Sequence, residues 1–224
     1  MGHIISKEGI RIDPNRVSAI LKVEEPRSKK EVQSFIGKVN FLLRFIPSFV
    51  EILLNSNNML KKDHEIKWTV EAKKSFKNIK QAISEALVLV SPYFDKYFLV
   101  FSYASEHTVA VVLLQKNDQG EEQPIEFFSK ILRDGELKYD IMEKQAYSLI
   151  KALKDFIIYI LHSHVVAYVP SSVVKSILTQ PDIEGRREKW IATLLEYDIE
   201  IRTTKLIKGQ GLENMITDSN CDSL

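Results

Sequence analysis

The chain has 224 residues, 45% of them hydrophobic and 27% charged, and a formal net charge of +1. This composition is that of a globular protein and excludes disordered and fibrous classes. The single cysteine, Cys221, excludes an internal disulfide and a multi-cysteine zinc cluster, so a reducing compartment is expected. No apolar run approaches the roughly 20 residues that cross a bilayer. We therefore expect one or two domains and no membrane contact.

The net charge hides an asymmetry between the two parts of the chain. Residues 1–92 carry 16 Lys and Arg against 10 Asp and Glu, whereas residues 93–224 carry 15 against 20. A basic first part can meet phosphates, and an acidic second part cannot do so alone. Charge by itself fits two solvated surfaces equally well.

The first 91 residues predict a short β-ribbon followed by a small helical module. Residues 1–24 alternate apolar and polar side chains and are too few to bury themselves, so they belong to, or pack onto, something larger. Ser28 and Glu31 form a capping-box signature, and apolar residues follow at helical spacing as far as Pro47. A second helix is predicted from Thr69. Its predicted buried positions are Ala72, Phe76, Ile79, Ile83 and Leu87.

After Ser91-Pro92 the apolar pattern changes from helical spacing to alternation. Along the first strand, Phe98 and Val100 would face one side of a sheet and Leu99 and Tyr103 the other. The predicted elements are strands at 97–104, 107–116 and 124–132, a helix at about 137–161, a strand at 164–169, helices from 171 and at about 185–197, and a last strand from 198. The inward stripe of the long helix is predicted as Met142, Ala146, Leu149, Ile150, Leu153, Ile157 and Ile160. This order predicts an α/β (α+β) fold with a mixed five-stranded sheet flanked by helices.

Several blocks of sequence resemble one family in collinear order. "GHIISKEGIRIDPNRVSAI", "EVQSFIGKVNFLLRFIPSF" and "IKWTVEAKKSFKNIKQAI" resemble the palm end and thumb of gypsy-type LTR-retrotransposon reverse transcriptases. "FLVFSYASEHTVAVVLLQKN", "QPIEFFSKIL", "KYDIMEKQAYSLIKAL" and "REKWIATLLEYDIEI" are similar to the RNase H segment that follows, and "KGQGL" resembles plant elements. The resemblance implies a palm remnant at 1–24, a thumb-like module at 25–91 and a degenerate RNase H-like domain at 92–220.

The resemblance also shows which chemistry is missing. Polymerases of this type hold two magnesium ions with palm carboxylates, usually in a Tyr-x-Asp-Asp strand. No such motif is present, because the resemblance begins downstream of it. DNA synthesis by this chain alone is therefore not expected.

The RNase H carboxylates of the family fall on other residue types. An RNase H reaction needs about four carboxylates around two Mg²⁺ ions. The corresponding positions hold Tyr103, Gln145, Pro170 and Asn214, or Asp218 if the last loop is counted differently. We therefore expect no catalytic residue, no metal and no cofactor, with Mg²⁺ relevant only if residual nuclease activity exists.

Neighbouring residues offer limited replacements for these carboxylates. Glu106 is the acid nearest to the first position, and Glu143 should point away from Gln145, about 200° around the helix. Gln145 should face inward, where Ser102 could pair with it. Tyr103 is predicted as a core or cleft-lining aromatic in preference to a base-stacking one. Ser171 or Ser172 is expected to cap the next helix.

Basic residues of the helical module are the main candidates for contacts with nucleic acid. In the family, the thumb follows the backbone of the primer–template without reading sequence. A lysine-rich face is also common on solvated helices, so both interpretations stay open. At Arg186 and Arg187 a solvated helix face, anchored by Trp190, is favoured over phosphate contact. The candidates are Lys29, Lys30, Lys38, Arg44, Lys73, Lys74, Lys77, Lys80, Arg186 and Arg187.

The sequence thus favours a non-catalytic thumb and RNase H-like connection region. It would help hold an RNA–DNA hybrid or DNA duplex and join the polymerase to a downstream nuclease. The rest of the polyprotein would be its partner, in a cytoplasmic particle or the nucleus. Two alternatives remain: a residual Mg²⁺-dependent RNase H that uses Glu106 and Asp218, and a host-captured module that binds a protein.

Overall fold

A computed structural model of the chain describes residues 2–58, 70–180 and 185–203. A hairpin and four helices come first, and an α/β sheet follows. The first part contains β1 (His3–Ser6), β2 (Gly9–Ile12), α1 (Pro14–Leu21), α2 (Lys29–Val39), a 3₁₀ helix (Asn40–Phe45), α3 (Phe49–Asn58) and α4 (Val70–Ser84). The second part contains β3 (Phe98–Ala104), β4 (Thr108–Lys116), β5 (Glu122–Ile131), a 3₁₀ helix (Asp134–Lys138), α5 (Ile141–Asp155), α6 (Ile157–Ile160), β6 (Val165–Val169), α7 (Ser172–Thr179), α8 (Arg186–Leu194) and β7 (Ile199–Thr203).

The predicted β-ribbon is confirmed as the hairpin β1–β2, which packs onto the rest of the chain. Gly9 has φ +131°, and a Cβ there would collide with the Leu89 carbonyl, so only glycine fits this turn. The backbone N–H of Ile10 donates to the Leu89 carbonyl at 2.6 Å, and the Leu89 N–H donates back at 2.9 Å. The hairpin is therefore attached to the segment that leads into the sheet.

The start of α2 lies where the sequence predicts it. The Ser28 hydroxyl accepts the Glu31 N–H at 3.2 Å, and the Glu31 carboxylate accepts the Arg27 N–H at 2.7 Å. The predicted burial of Leu87 is wrong, because α4 ends at Ser84 and Leu87 lies exposed beyond it. Helices α1 and α3 were not predicted.

The sheet has the strand order β5-β4-β3-β6-β7. Strands β5, β4 and β3 are antiparallel neighbours, while β6 is parallel to both β3 and β7. The predicted mixed five-stranded sheet and α/β fold are therefore confirmed. The helix predicted at 137–161 is interrupted at Phe156, and Met142 and Ile157 are exposed instead of lying on its inward stripe.

The two faces of the sheet are covered by different elements. Phe98 and Val100 pack with α5 and the later helices, and Leu99 and Phe101 pack with the helical module. The alternation predicted for this strand is confirmed. Because Leu99 and Phe101 share one buried cluster with side chains such as Phe35, the module and the sheet have a common core.

No helix in the described part of the chain is long and apolar enough to cross a membrane.

Candidate nuclease-like edge and nucleic-acid surface

Three of the four positions that the resemblance assigns to a nuclease, Tyr103, Gln145 and Pro170, lie near the carboxyl ends of β3 and β6. In the parallel pair β3–β6, Phe101 lies opposite Tyr168. The same register, extended by two residues, places Tyr103 opposite Pro170 at the carboxyl ends of the two strands. Tyr103 and Pro170 are both partly buried. Neither side chain offers a carboxylate oxygen, which is the ligand that Mg²⁺ prefers.

Gln145 closes the end of β3 from the side of α5. Its Oε1 accepts the Ala104 N–H at 2.8 Å, and its Nε2 donates to the Ala104 carbonyl at 2.7 Å. The amide thus makes both bonds that a neighbouring strand would make. Its predicted inward orientation is confirmed, and the predicted pair with Ser102 is wrong because Ala104 takes both ends of the amide. Within the described part of the chain, the buried Ser102 hydroxyl has no hydrogen-bond partner.

Glu143, in the first turn of α5, belongs to a buried ionic cluster that the sequence did not predict. Glu143 is buried, and its carboxylate accepts from Arg186 at 2.7 and 2.8 Å and from Arg187 at 2.8 and 3.1 Å. Burial acts to raise the pKa of Glu143, but the hydrogen bonds from the two arginines outweigh it and the pKa is lowered. Glu143 thus holds α8 against the start of α5.

This cluster adds ion pairs to the predicted solvated helix face, since Arg186 and Arg187 are 51% and 31% exposed and both contact Glu143. Both guanidinium groups are ion-paired, because Glu143 turns away from Gln145 and towards α8. Trp190 is buried, so its predicted anchoring role is confirmed. Phosphate contact by either arginine stays a prediction.

Glu106 is paired with a buried lysine. The Lys144 Nζ donates to the Glu106 carbonyl and to its carboxylate, each at 2.9 Å. The hydrogen bond and charge of Lys144 lower the pKa of Glu106. An ammonium at this distance repels a metal cation. Among the residues in the described ranges, no group of three or more His, Cys, Asp or Glu side chains could hold a metal, and Asn214 and Asp218 lie outside those ranges.

The structure divides the predicted cations of the helical module into outward and inward groups. Lys73 lies 3.6 Å from Glu25 in an exposed ion pair. Lys80 instead points inward: its Nζ donates to the carbonyls of Leu21 at 2.7 Å and Val23 at 2.5 Å. Its ammonium group is therefore used within the protein, and phosphate contact by Lys80 stays a prediction. The other five predicted lysines of the module form no ion pair with any residue of the described ranges. Lys29 is partly buried, and the remaining four are exposed: Lys30, Lys38, Lys74 and Lys77.

Arg44 also points inward, and it joins the helical module to the sheet. Its Nη2 donates to the Glu126 carboxylate at 3.2 Å and to the Tyr159 hydroxyl at 3.1 Å. Burial raises the pKa of Glu126, and the Arg44 charge opposes that rise. Phosphate contact by Arg44 stays a prediction, and its internal partner, 82 residues away, is one that no local pattern indicates.

Comparisons with known proteins agree with this architecture. Residues 68–167 match the model of the RNase H-like domain found in reverse transcriptase. The Tf2-3 and Tf2-4 transposon polyproteins of Schizosaccharomyces pombe are each 29% identical to the chain over 205 residues. That match spans 90% of this chain and 15% of each polyprotein.

Solved structures of a foamy viral protease-reverse transcriptase are similar over 93% of this chain. A dRH form in complex with double-stranded DNA is 26% identical with a TM-score of 0.74, and a structure in complex with RNA/DNA hybrid is 25% identical with a TM-score of 0.76. This chain covers 38% and 29% of those two chains. The sheet and these matches show that this chain has the RNase H-like fold and is similar to the RNase H-like domain found in reverse transcriptase.

Proposed function

We propose that this chain is a non-catalytic thumb and RNase H-like connection region of a gypsy-type reverse transcriptase. It holds an RNA–DNA hybrid or DNA duplex without reading sequence and links the polymerase to a downstream nuclease. The observation that carries the proposal is the carboxyl edge of the sheet, where Tyr103 lies near the end of β3, Pro170 follows β6 and Gln145 bonds the end of β3.

The chemistry of this edge supports binding without cleavage. Two hard cations need several carboxylates, and a glutamine offers one neutral oxygen that Ala104 already uses. Glu106, the acid that a residual nuclease would need, is paired with Lys144. The edge therefore supplies few ligands for Mg²⁺.

The exposed lysines of α2 and α4 supply the attraction for a duplex. The rings of Phe35 on α2 and Phe76 on α4 lie 4.8 Å apart, so the two helices are neighbours. Exposed lysines on both helices, such as Lys38 and Lys77, can meet phosphates along one strand without contacting bases. The duplex complexes of the similar foamy viral proteins agree with this role.

The proposal is tested by the fluorescence anisotropy of a labelled RNA–DNA hybrid titrated with the chain at several salt concentrations. Each phosphate neutralised should contribute about −0.9 to the slope of log K against log salt, so affinity should fall steeply between about 50 and 200 mM salt. Two hybrids of unrelated sequence should bind equally. Absence of binding at low salt would overturn the proposal.

A further inference from the structure

A groove of about 500 Å³ lies between α1 and the end of α4, and β2 contributes to its wall. Its volume falls within the range of about 300–1,000 Å³ that is usual for ligand-binding pockets. The wall is mostly apolar and includes Val17 and Leu21 of α1. Its deepest residues, Ile12 and Ile83, belong to the core that the helical module shares with the sheet. We call this site the α1–α4 groove.

Hydrogen bonds at both ends of α1 fix the shape of the α1–α4 groove. At the start of the helix, the Asp13 carboxylate accepts the Asn15 N–H at 2.9 Å. At its end, the Lys80 Nζ of α4 donates to the carbonyls of Leu21 at 2.7 Å and Val23 at 2.5 Å, which holds α1 against α4. A preorganised groove loses little entropy when a partner fills it.

Apolar side chains continue from the groove onto the surrounding surface. Val88 lines the groove and is 46% exposed, and Leu87 beside it is 38% exposed. Ile4 is 37% exposed and lies opposite Arg11, another lining residue, in the register of the β1–β2 hairpin. Exposed apolar surface that is rimmed by polar residues is typical of a protein-binding site. The groove therefore requires a partner with apolar side chains.

The charged residues of the lining determine the charge of that partner. Arg11 and Lys22 both line the groove and are exposed, and no Asp or Glu is among the lining residues. Neither cation forms an ion pair with a residue of the described ranges. Arg11 precedes α1 by three residues and Lys22 follows it directly, so a cation lies beyond each end of an 8-residue helix. Carboxylates at both ends of an apolar segment would complement this arrangement.

We propose that the α1–α4 groove binds an acidic segment of a partner protein, with apolar side chains in the groove and carboxylates paired with Arg11 and Lys22. Helix α1 is about 12 Å long, and about four extended residues span a similar distance. A segment with acids on both sides of such an apolar centre therefore fits the site. A duplex backbone offers phosphates but no apolar side chain for the wall. Neither cation is among the residues proposed to meet a duplex, so the two surfaces are tested separately.

The test is the fluorescence anisotropy of two labelled peptides titrated with the full chain. Both peptides have a centre of leucine and phenylalanine, and the ends carry aspartates in one and lysines in the other. The wild-type chain should bind the aspartate peptide about tenfold more tightly than the lysine peptide, and the groove variant, Arg11→Glu with Lys22→Glu, should reverse that preference. Val88→Ser should weaken the aspartate peptide by about fivefold, because it removes apolar contact without changing charge.

A control variant, Lys154→Glu with Lys189→Glu, makes the same change in net charge at exposed positions of α5 and α8 and should bind both peptides as wild type does. Thermal melting of every variant confirms that it is folded. A wild-type chain without preference for the aspartate peptide overturns the proposal, and so does a preference that the folded groove variant keeps. Loss of RNA–DNA hybrid affinity in the groove variant, with no peptide bound by wild type, would assign the two cations to nucleic acid instead.

Discussion

Polar side chains at the carboxyl edge of the sheet bond other residues of the protein, whereas those on the outer face of the helical module are exposed to solvent. At the edge, Gln145 bonds Ala104 and Glu143 bonds two arginines, so the polar groups are used inside the protein. On α2 and α4, Lys38 and Lys77 project into solvent and form no ion pair with another residue of the described ranges. The polar groups at the edge therefore contribute to the free energy of unfolding, whereas the exposed lysines of α2 and α4 are available to a ligand.

The same distinction divides the helical module itself. Lys77 and Lys80 are three residues apart on α4, yet Lys77 is exposed, whereas Lys80 donates to the carbonyls of Leu21, at the end of α1, and of Val23, just after it. A cation with internal partners contributes to the free energy of unfolding, whereas an exposed one can contribute to binding. Position on a basic helix therefore does not decide which role a lysine has.

The largest effect should come from the ionic cluster at the edge. Glu143→Ala leaves Arg186 and Arg187 close together without their counter-ion. Because the two arginines are partly exposed, the loss should lie at the low end for broken buried pairs, about 3 kcal/mol in the free energy of unfolding. Urea denaturation measures this loss. Glu188→Ala, at an exposed position on α8, is the matched control and should change the free energy by less than about 0.5 kcal/mol.

The cluster should also make stability depend on pH. The folded-state pKa of Glu143 is lowered from the ordinary value of 4.5, so its contribution is fully present above that pH and is lost as pH falls through the folded-state pKa. The difference in unfolding free energy between wild type and Glu143→Gln should therefore be largest near neutral pH and shrink in acid. A difference that grows as pH falls would show that the carboxylate is not stabilised by the arginines.

Arg44→Ala should weaken the junction between the helical module and the sheet. It leaves the half-buried Glu126 without its cation and Tyr159 without a donor. Hydrogen bonds to charged groups contribute about 1.5–3 kcal/mol, so we expect a loss of about 2 kcal/mol by urea denaturation. Lys38→Ala, on the exposed face of α2, should leave stability nearly unchanged. Equal losses from both variants would remove the distinction between inward and outward cations.

The smallest and most selective contrast is between Lys77→Met and Lys80→Met. Lys77→Met should make the salt dependence of hybrid binding shallower by about 0.9 in slope if Lys77 meets one phosphate, with stability unchanged. Lys80→Met should lower the free energy of unfolding by about 1–2 kcal/mol and leave the slope unchanged, because its bonds are internal. Anisotropy titrations and urea denaturation distinguish the two outcomes, and a change in slope for Lys80→Met alone would reverse the assignment.

The sequence predicted the features that depend on local patterns. The alternation of Phe98, Leu99, Val100 and Phe101 places them correctly on two faces of the sheet, and Ser28 and Ser171 cap their helices as expected. Alternation and capping depend on neighbours a few residues away, so one sequence contains the needed information.

The errors concern partners that are distant in the chain. The destination of Gln145 was expected at Ser102 but is the backbone of Ala104, since a strand end that lacks a neighbour exposes both an N–H and a carbonyl. The partners of Arg44 and Glu143 lie more than 40 residues away, and no spacing rule connects them. A local pattern therefore predicts which side chains are charged and which face of a helix they occupy, but not which distant residue they pair with.

The central claim, binding without cleavage, is tested most directly by incubating an end-labelled RNA–DNA hybrid with saturating chain in Mg²⁺ or Mn²⁺ at low salt. The products are separated on a denaturing gel while binding is measured on the same mixture, and an active RNase H serves as the positive control. We predict a hybrid that is bound and an RNA strand that stays intact. RNA cleavage by the chain that a chelator abolishes would contradict the account and establish a residual nuclease.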